Sequence, residues 1–309
     1  MELNSILLAI VIPAAMSAGL SLLIRRFAPL IGLIDTPNYR KVHEKRKLVG
    51  GIAPAIAFFA YYSWIGQNPL PVLGGIGLVT LLGLADDIRS IGALKKLFIQ
   101  VLSTLPLVFL LEIPLVAFTF PQLGEVIISE PWNAGIYVFW ILASINAFNL
   151  IDGLDGLALG LGIIATLAFF LSSQSPNGVI TAVCLMGSLG GFIYFNIRPA
   201  QLFLGDGGSY FLGYSVGYLS TRTFIGLNQP GLPRWSFIPA ALVIAVPLVD
   251  TFLAIMRRTR KGGAIFSSDQ EHIHHKLMKR FGHTKAVIVL CSVQLLLAGF
   301  GVLYWSVWG

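Results

Sequence analysis

Asp86 and Asp87 stand side by side at the end of an apolar run, Gly83-Leu84-Ala85-Asp86-Asp87-Ile88-Arg89. Adjacent carboxylates repel, and the pair becomes favourable when a divalent ion or a positive side chain neutralises it. A helix end paired with Arg89 is the plainer use of the same residues. From Asn146 to Ala158 the chain reads NAFNLIDGLDGLA, so that Asn146, Asn149, Asp152 and Asp155 interrupt apolar sequence. Such polar density is costly in a bilayer unless it lines a wet cavity. The segment FLGDGGS, Phe203 to Ser209, combines Asp206 as a candidate metal ligand with glycines that let backbone N–H groups approach an anion at a helix start. Taken alone it is equally good turn and cap chemistry. His272, His274 and His275 follow Asp269 and sit among Lys276, Lys279 and Arg280. No fourth ligand of zinc type is spaced alongside, and the basic surroundings suit phosphate better. Asp35-Thr36-Pro37 leads through Arg40, Lys41 and His43 to Lys45-Arg46-Lys47, a run that by itself is an orientation signal.

The elements that carry these groups are apolar helices. Hydrophobic residues make up 56% of the 309-residue chain and charged residues only 11%, with a mean hydropathy of +0.80. Soluble domains carry about 25% charged residues, so a water-soluble globule is excluded. Apolar runs predict about ten transmembrane helices, near 3–24, 49–65, 71–85, 94–111, 134–148, 156–171, 178–195, 207–220, 235–256 and 285–307. Several are short for a core of about 30 Å. With both termini outside, 19 of the 21 Lys and Arg fall on the inner side, leaving Arg222 and Arg234 outside. The fold class expected is therefore an all-α polytopic membrane protein forming one integral membrane domain over 1–309. The outer segment from Glu112 to Asn133 alternates β-formers around Pro121-Gln122-Leu123-Gly124 and predicts a small periplasmic β-hairpin.

Several function classes drop out. Cys184 and Cys291 lie inside apolar runs and read as packing residues. The net charge of +7 is spread in short clusters beside the spans, which is membrane topology rather than a nucleic-acid footprint. The first run lacks a positive stretch before it, with Arg25-Arg26 after it, and so reads as a retained span rather than a cleaved signal. Gly74-Gly75-Ile76-Gly77 lies within a span with no strand before it and is a weak nucleotide loop. Pro239 and Pro247 kink the span near 235–256, a candidate wall for an apolar groove. Asp250, on the same helix, reads as a structural group buried against a polar neighbour.

Ten of the fourteen Asp and Glu fall at or near the inner side, and five polar constellations in five loops share that face. Carboxylates, amides, histidines, lysines and glycines at one interface describe a Mg²⁺–diphosphate site, with Mn²⁺ as the alternative ion. In these motifs, DD (Asp86-Asp87), NxxNxxDGxDGLA (Asn146 to Ala158), GDxGS (Gly205 to Ser209) and HIHH (His272 to His275), the chain resembles the polyprenyl-phosphate N-acetylhexosaminyl-1-phosphate transferases, the family of MraY and WecA. The likeness runs from Asp35 to His275, and ten spans with the N-terminus out is also the MraY arrangement. HIHH looks like the WecA-type branch, since MraY proteins carry three consecutive histidines where Lys276 here follows His274-His275. The ending just after the last span resembles a short branch serving O-antigen and lipopolysaccharide biosynthesis.

The resemblance implies transfer of an N-acetylhexosamine 1-phosphate from a UDP-sugar to undecaprenyl or another polyprenyl phosphate, releasing UMP, at the cytoplasmic face of a bacterial inner membrane. It implies Asp206 as a Mg²⁺ ligand, Asp86 or Asp87 as the group that orients or deprotonates the attacking phosphate, and Asn149 and Asp152 in contact with metal or nucleotide. It further implies Phe203 near the base and Lys41, His274 and His275 on the diphosphate, with His272 and Asp155 among the substrate contacts and a homodimer as the assembly. Direct attack and a covalent route through an aspartate both accommodate these residues. An ion-coupled transporter would hold its carboxylates near the midplane. A CDP-alcohol phosphotransferase would carry an Ala-Arg dipeptide after Asp-Gly, where this chain has Leu154-Asp155-Gly156.

Overall fold

The computed structural model describes residues 3–27, 34–35, 47–66, 70–110, 117–120, 124–225, 237–262 and 272–308. Twelve α-helices are formed by the described residues: α1 (Leu3–Phe27), α2 (Ile52–Trp64), α3 (Leu70–Ile88), α4 (Ala93–Leu110), α5 (Trp132–Ile151), α6 (Leu157–Ser172), α7 (Pro176–Asn196), α8 (Gly205–Ser220), α9 (Phe237–Val243), α10 (Ala245–Arg260), α11 (Ile273–Phe281) and α12 (His283–Trp308). Local chemistry sets several ends. Ser175 caps α7 by accepting from Gly178 N at 3.0 Å, with Pro176 in the first turn where its missing N–H costs nothing.

The chain is an all-α polytopic membrane protein. Six helices, α1, α3, α4, α5, α7 and α12, are long and apolar enough to cross a bilayer, and α9 with α10 makes a seventh if the bent pair is one span. Large apolar side chains such as Leu7, Leu81, Phe98, Phe109 and Phe300 are exposed on these helices, as a lipid solvent allows. The remaining expected spans correspond to shorter helices. With 13 residues, α2 rises about 20 Å at about 1.5 Å per residue, short of a core of about 30 Å. The 16-residue helix α8 is buried on nearly every face, with Gly207, Gly208, Ser209, Ser215 and Ser220 among its buried residues. It packs on α3, α5 and α6, so its hydroxyls and exposed backbone meet protein rather than lipid.

The region expected as one kinked span is two helices meeting at 89°. Ile244 leaves the helical region (φ −124°, ψ 28°), and Pro247 follows in the first turn of α10, where it has no N–H to donate. Two further features escape the span reading. Helix α11 is a separate amphipathic helix carrying His274 and His275. Strands β1 (Ile34–Asp35), β2 (Lys47–Val49) and β5 (Leu202–Phe203) form a sheet in which β1 runs antiparallel and β5 parallel to β2. Strands β3 (Ala117–Phe120) and β4 (Gly124–Ile127) pair antiparallel, Phe118 opposite Val126.

Candidate active site

Asp86 and Asp87 end α3, Asn149 ends α5, and Asp206 opens α8, so three helix termini meet. Their approach depends on Gly83, where a Cβ would run into the backbone of Asp206 and Gly207. Asp87 lies over the start of α8, its Oδ1 accepting from Asp206 N at 2.8 Å and its Oδ2 from Gly207 N at 3.0 Å. It thus satisfies two of the free N–H groups of that helix from a different element and adds a negative charge at the positive end of the dipole. Asp86 accepts from Ile91 N and, at 2.6 Å, from Lys96 Nζ, and its carboxyl is also within hydrogen-bond reach of the Asp206 carboxyl. Asp206 accepts from Asn149 Nδ2 at 2.7 Å, and the same amide nitrogen donates to Ser209 Oγ at 3.0 Å. Lys96 Nζ is 4.0 Å from Asp206 Oδ2.

Asp152 follows α5 in the turn to α6. Burial, and then the charges of Asp206, Asp87 and Asp155, hold its carboxyl well above the ordinary Asp range. Asp155, in the same turn, accepts from Ala200 N at 3.3 Å. Asn196 braces the turn by accepting from Gly156 N and donating to Leu202 O, each at 3.0 Å. Phe203 lies half-buried in β5, whose carbonyl at Phe203 accepts from Gly50 N at 2.9 Å. The two ends of segment 36–46 are tied beside this strand by β1 and β2, and Lys41 itself lies outside the described residues.

The histidines are organised from α10. Asp250 is 1% exposed; its Oδ2 pairs with His272 Nδ1 at 2.9 Å and His274 Nδ1 at 3.1 Å, and its Oδ1 accepts from Ile273 N at 2.7 Å. The sequence expectation of a buried structural carboxylate holds, and its polar neighbours are the histidines themselves. His274 is fully buried and its Nε2 is the nearest atom to the site a Cβ would take on Gly153, so only glycine lets the ring close on the Asp152-Gly153 turn. His275 is half-buried, and burial together with the neighbouring imidazoles pushes it down to about 4, leaving the ring neutral at pH 7. The ligand atoms of Asp250, His272 and His274 lie within 4.8 Å of one another, a spacing a metal could use. Both Asp250 oxygens are already taken by N–H partners, so the trio is better described as a hydrogen-bonded brace.

The four motifs therefore converge: DD and GDxGS through Asp87, GDxGS and NxxNxxDGxDGLA through Asn149, and HIHH through the close approach of His274 to Gly153. Sequence reasoning counted Lys96 only as an orientation charge and did not single out Ser209 or Asn196. Lys96 follows Asp86 across a short turn into α4, and that turn is what folds it back. The oxygen-rich donor set fits a hard divalent cation: Asp86 and Asp206 face each other closely, with the Asp87 and Asp152 carboxyls nearby.

Residues 69–224 match the model of the family described as Glycosyl transferase family 4. The chain belongs to that family. It is 34% identical over 281 residues to the "Probable undecaprenyl-phosphate N-acetylglucosaminyl 1-phosphate transferase" of Bacillus subtilis (strain 168), covering 87% of this chain and 76% of the relative. Similarity to the undecaprenyl-phosphate alpha-N-acetylglucosaminyl 1-phosphate transferase of Escherichia coli (strain K12) is 30% identity over 291 residues, 90% of this chain and 78% of the relative. The decaprenyl-phosphate N-acetylglucosaminephosphotransferase of Mycolicibacterium smegmatis (strain ATCC 700084 / mc(2)155) is 30% identical over 306 residues, 86% of this chain and 74% of the relative. The family match spans α3 to α8 and so includes every element whose end meets Asp206, while α10 and α11 with Asp250 and the histidines fall beyond it.

Proposed function

We propose that this family 4 protein moves an N-acetylhexosamine 1-phosphate from a UDP-sugar to a polyprenyl phosphate and releases UMP, at the cytoplasmic face of a bacterial inner membrane. The observation that carries the reading is the meeting of Asp86, Asp87, Asn149 and Asp206 at three helix ends, in a chain whose relatives are named for this transfer. A phosphate oxygen of the lipid attacks the phosphorus that bears the sugar, and the bond from that phosphorus to the UMP oxygen breaks. One phosphoanhydride replaces another, so the step is nearly balanced and reversible.

The protein's task is to hold two anions together and offset their repulsion. Asp206, with Asn149 beside it and Asp86 opposite, would hold Mg²⁺, which when bound supplies charge neutralisation at the diphosphate. Asp86 orients the attacking phosphate, whose second pKa near 6 leaves it mostly ionised at neutral pH, so a strong base is unnecessary. Asp87 fixes the start of α8 and hence the direction of Asp206. Lys96 balances the carboxylates, Lys41 and His275 bind the diphosphate, and the Asp250 brace sets the histidine segment against the Asp152 turn. Phe203 flanks the nucleotide base.

The test is a donor panel. Purified protein with polyprenyl phosphate and Mg²⁺ is offered UDP-GlcNAc, UDP-GalNAc, UDP-QuiNAc and UDP-FucNAc, and lipid-linked product is scored. At least one UDP-N-acetylhexosamine is expected to give a lipid diphosphate sugar and UMP in equal amounts; UMP without lipid product would mean hydrolysis instead.

A further inference from the structure

A helix broken within a membrane must place the backbone groups it frees. At the break between α9 and α10, the carbonyls of Leu242 and Val243 lose their helical partners, and the N–H of Val246 has no carbonyl one turn behind it in a continuous helix. Leu248 N still reaches Ile244 O at 3.2 Å, and Pro247 has no N–H. Three of the groups at the break are taken by one side chain. Gln294 on α12 is fully buried; its Oε1 accepts from Val246 N at 2.9 Å, and its Nε2 donates to Leu242 O at 3.1 Å and Val243 O at 2.6 Å.

This amide lies roughly 16 Å along α12 from His283 at about 1.5 Å per residue, in an otherwise apolar stretch where a polar group needs a reason. The reason is visible one turn along α10. Val246 and Asp250 are four residues apart and both buried, so they lie on the same face of that helix. Gln294 fixes one point of this face to α12, and Asp250 fixes the next to His272, Ile273 and His274 at the start of α11, the helix that leads through Gly282 into α12. Helix α10 is thereby clamped at two points one turn apart, and its rotation sets where the Asp250 carboxylate holds the histidine segment.

From this geometry we infer that Gln294 is a positioning residue of the donor site, acting through the bent α10 and Asp250 on the histidine segment that closes over Gly153. The inference rests on the transfer reading above. A glutamine at this depth that merely satisfied backbone groups would stabilise the bend without touching donor use.

The experiment is a double-mutant cycle on the purified full-length chain in lipid nanodiscs, with kcat, KM for the UDP-sugar, UDP binding by thermal shift, and the thermal midpoint measured for each protein. Gln294→Met keeps length and removes all three hydrogen bonds. It is expected to lower kcat/KM about tenfold or more, the range seen when a group behind a ligand is lost, with most of the change in KM. Combined with Asp250→Asn, it should add little to the loss that Asp250→Asn causes alone, because both act on one path. Gln294→Glu, whose carboxyl still accepts from Val246 and when protonated donates to Val243, should recover part of the donor affinity. Full additivity of the two substitutions, or a KM unchanged in Gln294→Met, would overturn the inference. If Gln294→Met does not fold, the same decision falls to Gln294→Glu: its KM must rise less than twofold with Asp250→Asn already present and more than twofold without it, and any other pattern counts against the inference. An unsubstituted protein that binds UDP but transfers nothing would count against the transfer reading, and the UDP-binding arm of the cycle would still decide the role of Gln294.

Discussion

Asp206→Asn is expected to lower transfer by about 10³-fold, the upper end of what the loss of one preorganised electrostatic group costs, while the protein still folds. Asparagine has the same shape and retains a side-chain oxygen to accept from Asn149 Nδ2, now at 2.7 Å, and the backbone N–H of residue 206 still donates to Asp87. What disappears is the charge that faces Asp86 and that a divalent cation needs. The thermal midpoint without metal should stay level or rise, because one of two close carboxylates has become neutral. The rise in midpoint that Mg²⁺ gives the unsubstituted protein should vanish. A variant that kept its activity in proportion to folded protein would make Asp206 a helix-start residue and nothing more.

Asp250→Ala should have the largest effect on stability. Its carboxylate is the acceptor for two imidazole nitrogens and one backbone N–H, all in a region closed to water. Removing one partner of a buried polar cluster costs roughly 3–5 kcal/mol because the others are left unpaired. A drop of that size in detergent unfolding experiments is expected for Asp250→Ala, with Asp250→Asn losing distinctly less since its oxygen still accepts from Ile273 N. Equal losses for the two would show that the carboxylate is not the hub of the brace.

Much of this arrangement could be read from the residues alone, for physical reasons that differ from motif to motif. Carboxylates and amides at the ends of apolar runs are expensive in lipid, so Asp86, Asp87, Asn149, Asp152 and Asp206 announced themselves by cost, and the charge bias put them on one side. The long runs of α1, α5, α7 and α12 were equally plain. The run 207–220 reads as a span like the others, and its glycines and serines suit the close packing of α8 on α3, α5 and α6. Two-residue strands such as β1 and β5 carry no alternation to detect. Lys96 and Gln294 were hidden because each makes its partners only after a turn or a break brings another element back, Asp86 across the α3–α4 turn and Val246 across the bend after Ile244. Asp250 could be recognised as buried and paired, but nothing in its neighbours along the chain pointed to His272 and His274.

The most direct test of the central claim is exchange of labelled UMP into the UDP-sugar pool. The protein is given polyprenyl phosphate, Mg²⁺ and the donor that the panel selects, and label is followed from UMP into UDP-sugar. Because one phosphoanhydride is exchanged for another, label should appear in UDP-sugar at a rate that depends on the lipid phosphate, and a chelator should stop it until Mg²⁺ is restored. Release of UMP with no return of label, or exchange unaffected by removing divalent cations, would contradict a reversible, carboxylate-held metal transfer at this site.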